Sequence, residues 1–250
     1  MLGLRVTDPK VLKDAFTAIS TLVDEATLNM GGDGISLRAM DPSRVAMIDF
    51  AMGKAAFDEY TCSEDLKLCL DVNELLKLVK RAGKDESVEI LLEETGRLKI
   101  LIRGRYARTF DMPTLEATEE EFPTPKIAFN AKATLTTDGI RQVLEDVVLV
   151  SDHVRIEADH DGVLMKAKGD LMSADIELRK GSDALSEVQV KERSKATFSL
   201  SYLSDIVKAA TSTADVVTLE FSRDNPIKLD FRQRYEGKLA YYLAPRIEVE

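Results

Sequence analysis

Cys62, Cys69, His153 and His160 are the only thiols and imidazoles of this sequence, and they bound its nucleophilic and metal chemistry. A structural zinc site needs four such ligands at short paired spacings, and these four are scattered. Nothing around either cysteine has the pattern of an activated nucleophile, so two reduced thiols on strands are expected. Carboxylates offer a third chemistry. Asp152, Asp159 and Asp161 stand close enough in sequence to suggest a divalent-cation site and a metal-dependent enzyme. However, Asp161-Gly162 repeats an earlier Asp33-Gly34. An aspartate that recurs before a glycine is accounted for by turn geometry, because its side chain bonds its own backbone. The expectation is no catalytic residue, no metal and no cofactor, with a carboxylate–metal enzyme as the least favoured alternative.

Cations are the next candidates. The 250 residues carry 34 Lys plus Arg against 44 Asp plus Glu, a formal net charge of -10, which excludes a uniformly basic nucleic-acid coat protein. Lys10, Lys13, Lys77, Lys80, Arg81, Lys84, Arg141 and Lys208 fall on segments with helical spacing. There they outnumber the acids Asp14, Glu74, Asp138, Glu145, Asp146 and Asp205, so the helices are positive in an acidic chain. On the second helix, Lys77, Lys80, Arg81 and Lys84 stand opposite Leu75 and Val79. One reading is a solvated helix face; the other is a stripe facing phosphate. No zinc-finger spacing, helix-turn-helix signature or aromatic RNA-binding stretch accompanies the stripe, so any nucleic-acid contact is expected to be independent of base sequence.

The elements that position these residues occur twice. At an offset of 128, Val11, Leu12, Ala15, Phe16 and Ile19 fall on Gly139, Ile140, Val143, Leu144 and Val147. Likewise, Leu75, Leu78, Val79, Lys80 and Ala82 fall on Leu203, Ile206, Val207, Lys208 and Ala210. The two Asp-Gly turns, and Val88 and Leu91 with Val216 and Leu219, share the offset, so the sequence reads as a tandem duplication. Helices are expected over about Lys10–Val23, Val72–Ala82, Asp138–Val150 and Ser201–Thr211, the first capped by Asp8-Pro9. Alternating runs such as Leu98, Ile100 and Ile102, Ile227, Leu229 and Phe231, and Leu239, Tyr241 and Leu243 predict strands. The fold class is α+β: two duplicated domains, each an antiparallel sheet system with two helices on one side. Residues 113–126 (PTLEATEEEFPTPK) hold Pro113, Pro123 and Pro125 beside Glu119-Glu120-Glu121, which predicts an extended connector. The divisions are 1–112, a connector over 113–127, and 128–250. No apolar run has membrane-spanning length, and the first residues lack the apolar core of a secretory signal, so an intracellular chain is expected.

Four segments carry a specific resemblance: Gly237–Glu248 (GKLAYYLAPRIE), Leu200–Ala209 (LSYLSDIVKA), Ala39–Val45 (AMDPSRV) and Phe57–Cys62 (FDEYTC). With them, the whole chain resembles the proliferating cell nuclear antigen family, the DNA sliding clamps of archaea and eukaryotes, and looks more archaeal. The resemblance implies the processivity fold, a ring of three subunits around duplex DNA, helices facing the hole, and a role in DNA replication and repair. A subunit of a heterotrimeric clamp is the alternative. It places the subunit joint on Tyr106 to Met112, with Tyr106, Phe110 and Met112, and on Met172 to Arg179, with Met172, Ile176 and Leu178. It also implies partners (DNA polymerase, clamp loader, flap endonuclease, DNA ligase) that dock a short motif: a Gln, an aliphatic residue three positions on, and two adjacent aromatics. The matching pocket positions are Met40, Val45, Met47, Phe122, Pro123, Pro226, Tyr242, Leu243, Ala244 and Pro245. Glu119–Glu121 depart from the family's usually more apolar connector. The implied location is the nucleoid or cytoplasm of an archaeon, or a eukaryotic nucleus.

Overall fold

A computed structural model describes residues 2–117, 122–233 and 236–247. The chain forms two compact units, Met1–Pro42 with Ile48–Pro123 and Arg234–Lys238, and Ser43–Met47 with Thr124–Gln233 and Leu239–Glu250. The expected acidic run Glu119–Glu121 lies outside the described residues.

In chain order, the first set of elements is β1 (Leu2–Val6), α1 (Lys10–Ser20), β2 (Glu25–Gly31), β3 (Gly34–Met40), β4 (Ala46–Gly53), β5 (Glu59–Cys62), β6 (Leu66–Asp71), α2 (Val72–Lys80), β7 (Ser87–Leu92), β8 (Arg97–Arg103) and β9 (Ala107–Pro113). A single 3-10 turn, Lys54–Ala56, follows β4. The second set is β10 (Ala131–Thr136), α3 (Thr137–Val147), β11 (His153–Asp159), β12 (Gly162–Lys168), β13 (Ser173–Arg179), β14 (Leu185–Val190), β15 (Ser194–Ser199), α4 (Leu200–Ala210), β16 (Val216–Phe221), β17 (Ile227–Phe231) and β18 (Gly237–Leu243). The sheet orders β5-β1-β7-β8-β9 and β4-β3-β2-β6 recur as β14-β10-β16-β17-β18 and β13-β12-β11-β15. Strands β2, β3 and β6 begin 128 residues before β11, β12 and β15, the offset seen in the sequence. Duplication therefore extends from composition to strand order.

Each helix buries one apolar face. Leu12, Ala15, Phe16, Ala18 and Ile19 do so on α1, and Val72, Leu75, Leu76 and Val79 on α2, and these two helices pack together. The second unit repeats the arrangement with Ile140, Val143, Leu144 and Val147 on α3 against Leu203, Ile206 and Val207 on α4. Asp8 Oδ1 accepts the Lys10 N–H at 2.9 Å, so the expected cap on α1 forms. The helices end earlier than their apolar patterns suggest, at Ser20, Lys80 and Val147, and α4 runs from Leu200 to Ala210. The cause is visible in the hydrogen bonds. Leu22 bonds Ile19, Arg81 bonds Leu78, Ala82 bonds Val79, and Val150 bonds Val147, each closing a three-residue turn. Leu22, Val23 and Ala82 stay buried in those turns, which is why the apolar pattern overruns the helix.

Strand alternation is as expected: Leu98, Ile100 and Ile102, and Ile227, Leu229 and Phe231, are all buried. The Tyr241 ring meets Phe231 edge-on at 5.9 Å, and full burial pushes its phenol pKa upward. At Gly34, φ is +136° and a Cβ would strike the Met52 carbonyl; at Gly162 it would strike the Leu178 carbonyl. The aspartates before these glycines act through their backbone carbonyls, Asp33 accepting the Lys54 N–H and Asp161 the Lys180 N–H, and the side-chain bond expected of Asp161 is made by Asp159 instead.

Candidate nucleic-acid interface, subunit edges and partner patch

Amphipathic packing turns the helix bases outward, but they are not equivalent. On α2, Asp71 Oδ1 accepts the Glu74 N–H at 2.8 Å and fixes the helix start. Lys77 then donates to Glu74 at 2.5 Å, and this bond raises its pKa. On α1, Lys10 is paired with Asp14, and Lys13 donates to the Ala82 carbonyl at 2.6 Å. On α3, Arg141 is held at 2.6 Å by both Asp138 and Glu145, bonds that raise its pKa. Lys80, Arg81, Lys84 and Lys208 are exposed and have no ion pair among the described residues. Lys13 has no ion pair among the described residues either, since its ammonium is held by the neutral Ala82 carbonyl, so five of the eight bases that the sequence singles out carry charge that no acid answers.

The expected joint segments lie at sheet ends. Strand β9 is an outer strand of β5-β1-β7-β8-β9, and β13 of β13-β12-β11-β15. Tyr106 and Met172, just before these strands, are 62% and 57% exposed. Phe110 and Ile176 are half-buried, while Met112 and Leu178 point into the core. Sequence reasoning missed three other exposed apolar residues of the second unit. Val148, Leu149 and Leu171 are 50%, 73% and 97% exposed. The Gly169 N–H bonds Met172 O at 2.9 Å, and Gly169 has no room for a Cβ beside the Val150 carbonyl. The turn after α3 thus lies against the β12–β13 loop in the second unit, and each exposes apolar side chains. The run Val147-Val148-Leu149-Val150 was the available signal, since it has more apolar residues than one helix face can bury.

Most expected pocket residues belong to the second unit. Ala244 N donates to Val45 O at 2.8 Å, and the β17–β18 register sets Ile227 opposite Leu243 and Lys228 opposite Tyr242. Met47, Tyr242 and Leu243 are buried; Val45 and Ala244 are exposed, and Pro226 and Pro245 half-buried. Beside them, burial disfavours the Lys228 ammonium. Its bonds to Asp230 and Glu220, at 2.7 and 2.9 Å, outweigh this and raise its pKa. Met40, Phe122 and Pro123 belong to the first unit, with Met40 and Phe122 half-buried. There, Arg38 donates to the Phe122 carbonyl at 3.3 Å and lies 3.4 Å from the buried Asp49, which also pairs with Lys238 at 2.5 Å. A cavity of about 540 Å³ opens between these groups.

The carboxylates and imidazoles have local duties. Asp159 Oδ1 accepts the N–H groups of Asp161 and Gly162 at 3.0 and 3.3 Å, so it closes a turn. Among the described residues, no cluster of three or more His, Cys, Asp or Glu could hold a metal ion. His153 lies against Arg246; burial and that guanidinium lower its pKa. Cys69 is buried in β6, and the Cys62 thiol donates to the Glu64 carbonyl at 3.0 Å.

Residues 1–108 match the family description "Proliferating cell nuclear antigen, N-terminal domain", and residues 124–246 match its C-terminal domain. The chain is 38% identical to a DNA polymerase sliding clamp of Cenarchaeum symbiosum, with 94% of each chain covered. It is 37% identical to one of Nitrosopumilus maritimus, with 98% of each covered. In structure, it superposes with a TM-score of 0.92 on the proliferating cell nuclear antigen of Thermococcus kodakaraensis, at 23% identity, covering 98% of this chain and all of that one. A chain of the PCNA2-PCNA3 complex of Sulfolobus tokodaii gives 0.89 at 26% identity, with the same coverage. By sequence and by fold, this chain belongs to the proliferating cell nuclear antigen family.

Proposed function

We propose that the chain is a DNA polymerase sliding clamp: a non-catalytic subunit of a ring of three that encircles duplex DNA and tethers replication and repair enzymes to it. The observation that carries this reading is full-length similarity to relatives named for that role, together with the duplicated order of strands and helices. The mechanism is topological. An enzyme bound to a closed ring cannot diffuse from the template, so its effective concentration at the primer end rises without new chemistry. The clamp domains in this reading are 1–112 and 128–250, joined by a connector over 113–127.

Three surfaces divide the work. Lys80, Arg81, Lys84 and Lys208 meet phosphate, and Lys10, Lys13, Lys77 and Arg141 set the charge around them. The β9 and β13 edges pair head-to-tail between copies, which leaves no open edge once the ring closes. Tyr106 and Phe110 supply apolar contacts from one side, and Ile176, Met172 and the exposed Leu149 and Leu171 from the other. Val45, Pro226, Ala244 and Pro245 of the second unit, and Met40, Phe122 and Pro123 of the first, are the positions that receive the short motif of polymerase, clamp loader, flap endonuclease or ligase. The site of action is the cell's own DNA.

Light scattering of the purified chain at low micromolar concentration tests the reading. A particle of three times the chain's 27.8 kDa is expected. The similarity to a chain from a PCNA2-PCNA3 complex favours one second reading, a subunit that needs a different partner chain to close the ring. A persistent monomer that forms a three-chain particle only with such a partner selects it. A chain that assembles with neither overturns both.

A further inference from the structure

One side chain links the free edge of the first unit's sheet to the end of α2. Arg108 points from β9 toward the helix layer with 19% of its side chain exposed. Its Nη2 pairs with Glu86, and its Nη1 donates to the Arg81 carbonyl at 3.2 Å. The same Glu86 oxygen accepts the Gly83 N–H at 2.7 Å, and this bond, ahead of the Arg108 contact, lowers the Glu86 pKa. From the other side, Lys13 holds the Ala82 carbonyl. Residues 81–83, where a helix leaves carbonyls without intrahelical partners, are therefore gripped by side chains from β9, α1 and the loop before β7.

Two details show how closely this junction is built. A Cβ on Gly104 would lie 2.5 Å from Glu86 Cγ, so a larger residue there would push the Glu86 side chain aside. Arg108 Nε is buried without a hydrogen-bond partner, so the fork is spent on Glu86 and Arg81 rather than on satisfying every donor. The Tyr106 ring covers the guanidinium at 5.1 Å while remaining 62% exposed. The exposed ring stands next to the first residue of the β9 edge. The gripped turn carries Lys80, Arg81 and Lys84, cations with no ion pair among the described residues.

We propose that Arg108 is a positioning residue through which pairing of the β9 edge sets the basic turn Lys80–Lys84 for phosphate. The inference rests on the subunit-edge and DNA-facing readings above and adds a coupling between them. Tyr106 transmits the occupied edge to Arg108, and Arg108, through Glu86 and the Arg81 carbonyl, fixes the turn.

Amide hydrogen exchange at residues 81–86 tests it on the full-length chain, at a concentration where light scattering shows the assembly and after dilution to monomer. Wild type should exchange at least tenfold faster at these amides when diluted. Arg108→Ala should exchange fast at both concentrations. Glu86→Ala should do the same while keeping the assembly mass, because Glu86 is not on the edge strand. Arg108→Lys, which keeps a cation for Glu86 but loses the fork, should fall between. Concentration-independent exchange in assembled wild type, or undiminished dependence in Glu86→Ala, overturns the coupling and leaves the edge reading standing. A wild-type chain that shows no assembly at all overturns both.

Discussion

Asp58 receives two hydrogen bonds from one residue, the Thr7 N–H at 2.6 Å and the Thr7 hydroxyl at 2.9 Å. Both favour the carboxylate, and the backbone bond contributes most to lowering its pKa. A carboxyl whose folded pKa lies below its unfolded value of about 3.9 adds stability that is fully present above that value. That contribution fades as pH falls through the folded pKa. Denaturant titrations of wild type and Asp58→Asn should therefore differ most above about pH 4 and converge below it. Parallel curves down to acid would show that the Thr7 bonds add nothing. The proposed partner-binding positions also differ residue by residue. Leu243 is 1% exposed, so truncating it confounds binding with folding, whereas Met40 is half-buried and Pro245 partly accessible. A peptide with the glutamine, aliphatic and paired-aromatic pattern should bind Met40→Ala and Pro245→Ala more weakly than wild type in calorimetry. Removing both aromatics should cost at least ~2 kcal/mol, because buried aromatic anchors dominate such interfaces. Equal affinity for all three proteins would move the docking site elsewhere.

At the scale of elements, the proposed assembly rests on the sheet edges. Among the described residues, strand β13 pairs with β12 alone, and it presents Ile176 half-buried near the exposed Met172. Backbone pairing fixes register along such an edge, and each fully buried apolar side chain adds roughly 1.5–3 kcal/mol. Ile176→Asp should yield monomers in light scattering with unchanged far-UV circular dichroism; a particle as large as wild type would mean that the joint lies on another strand. The elements themselves were legible because their signals are local and repeated. The stripe of Leu12, Ala15, Phe16 and Ile19 is a helix in any context that buries it, and its echo at Ile140, Val143, Leu144 and Val147 gives the duplication. Helix ends were less legible, since Leu22 and Ala82 remain buried after the helical bonds have stopped. The sites were legible unevenly. Surplus cations on helices can be counted in sequence, but that Arg141 is neutralised by Asp138 and Glu145 while Lys80 is not depends on rotamers. The pocket positions came from family resemblance alone, because Val45 and Ala244 meet only through tertiary pairing. Arg108 gives no sequence signal at all, being one arginine in an alternating strand whose partner lies in a distant loop.

For the molecule as a whole, charge poses the central problem of the proposed function, in which a chain of net charge -10 slides on a polyanion. A ring solves it by topology, so attraction need only be weak, and strong attraction would impede sliding. The surface fits that requirement. Lys10, Lys77 and Arg141 are answered by acids on their own helices, leaving Lys13, held by the neutral Ala82 carbonyl, and the exposed Lys80, Arg81, Lys84 and Lys208 without an ion pair among the described residues. Binding through such groups releases counterions, and each phosphate contact steepens the fall of log affinity with log salt by about 0.9. Reversing Lys80, Arg81 and Lys84 to Glu should thus flatten the salt dependence of duplex association by up to about 2.7 per subunit in contact, and lower clamp-stimulated synthesis, at unchanged particle mass. Arg141→Glu provides the internal control. Its cation is already committed, so it should change the slope far less than any one of the three, although it alters net charge by the same amount per residue. If Arg141→Glu flattens the slope as much as Lys80→Glu, the protein's overall charge governs DNA association and the α2 turn has no special place. If the triple reversal leaves the slope untouched, the helix face does not meet DNA, and the route of the duplex through the ring must be redrawn.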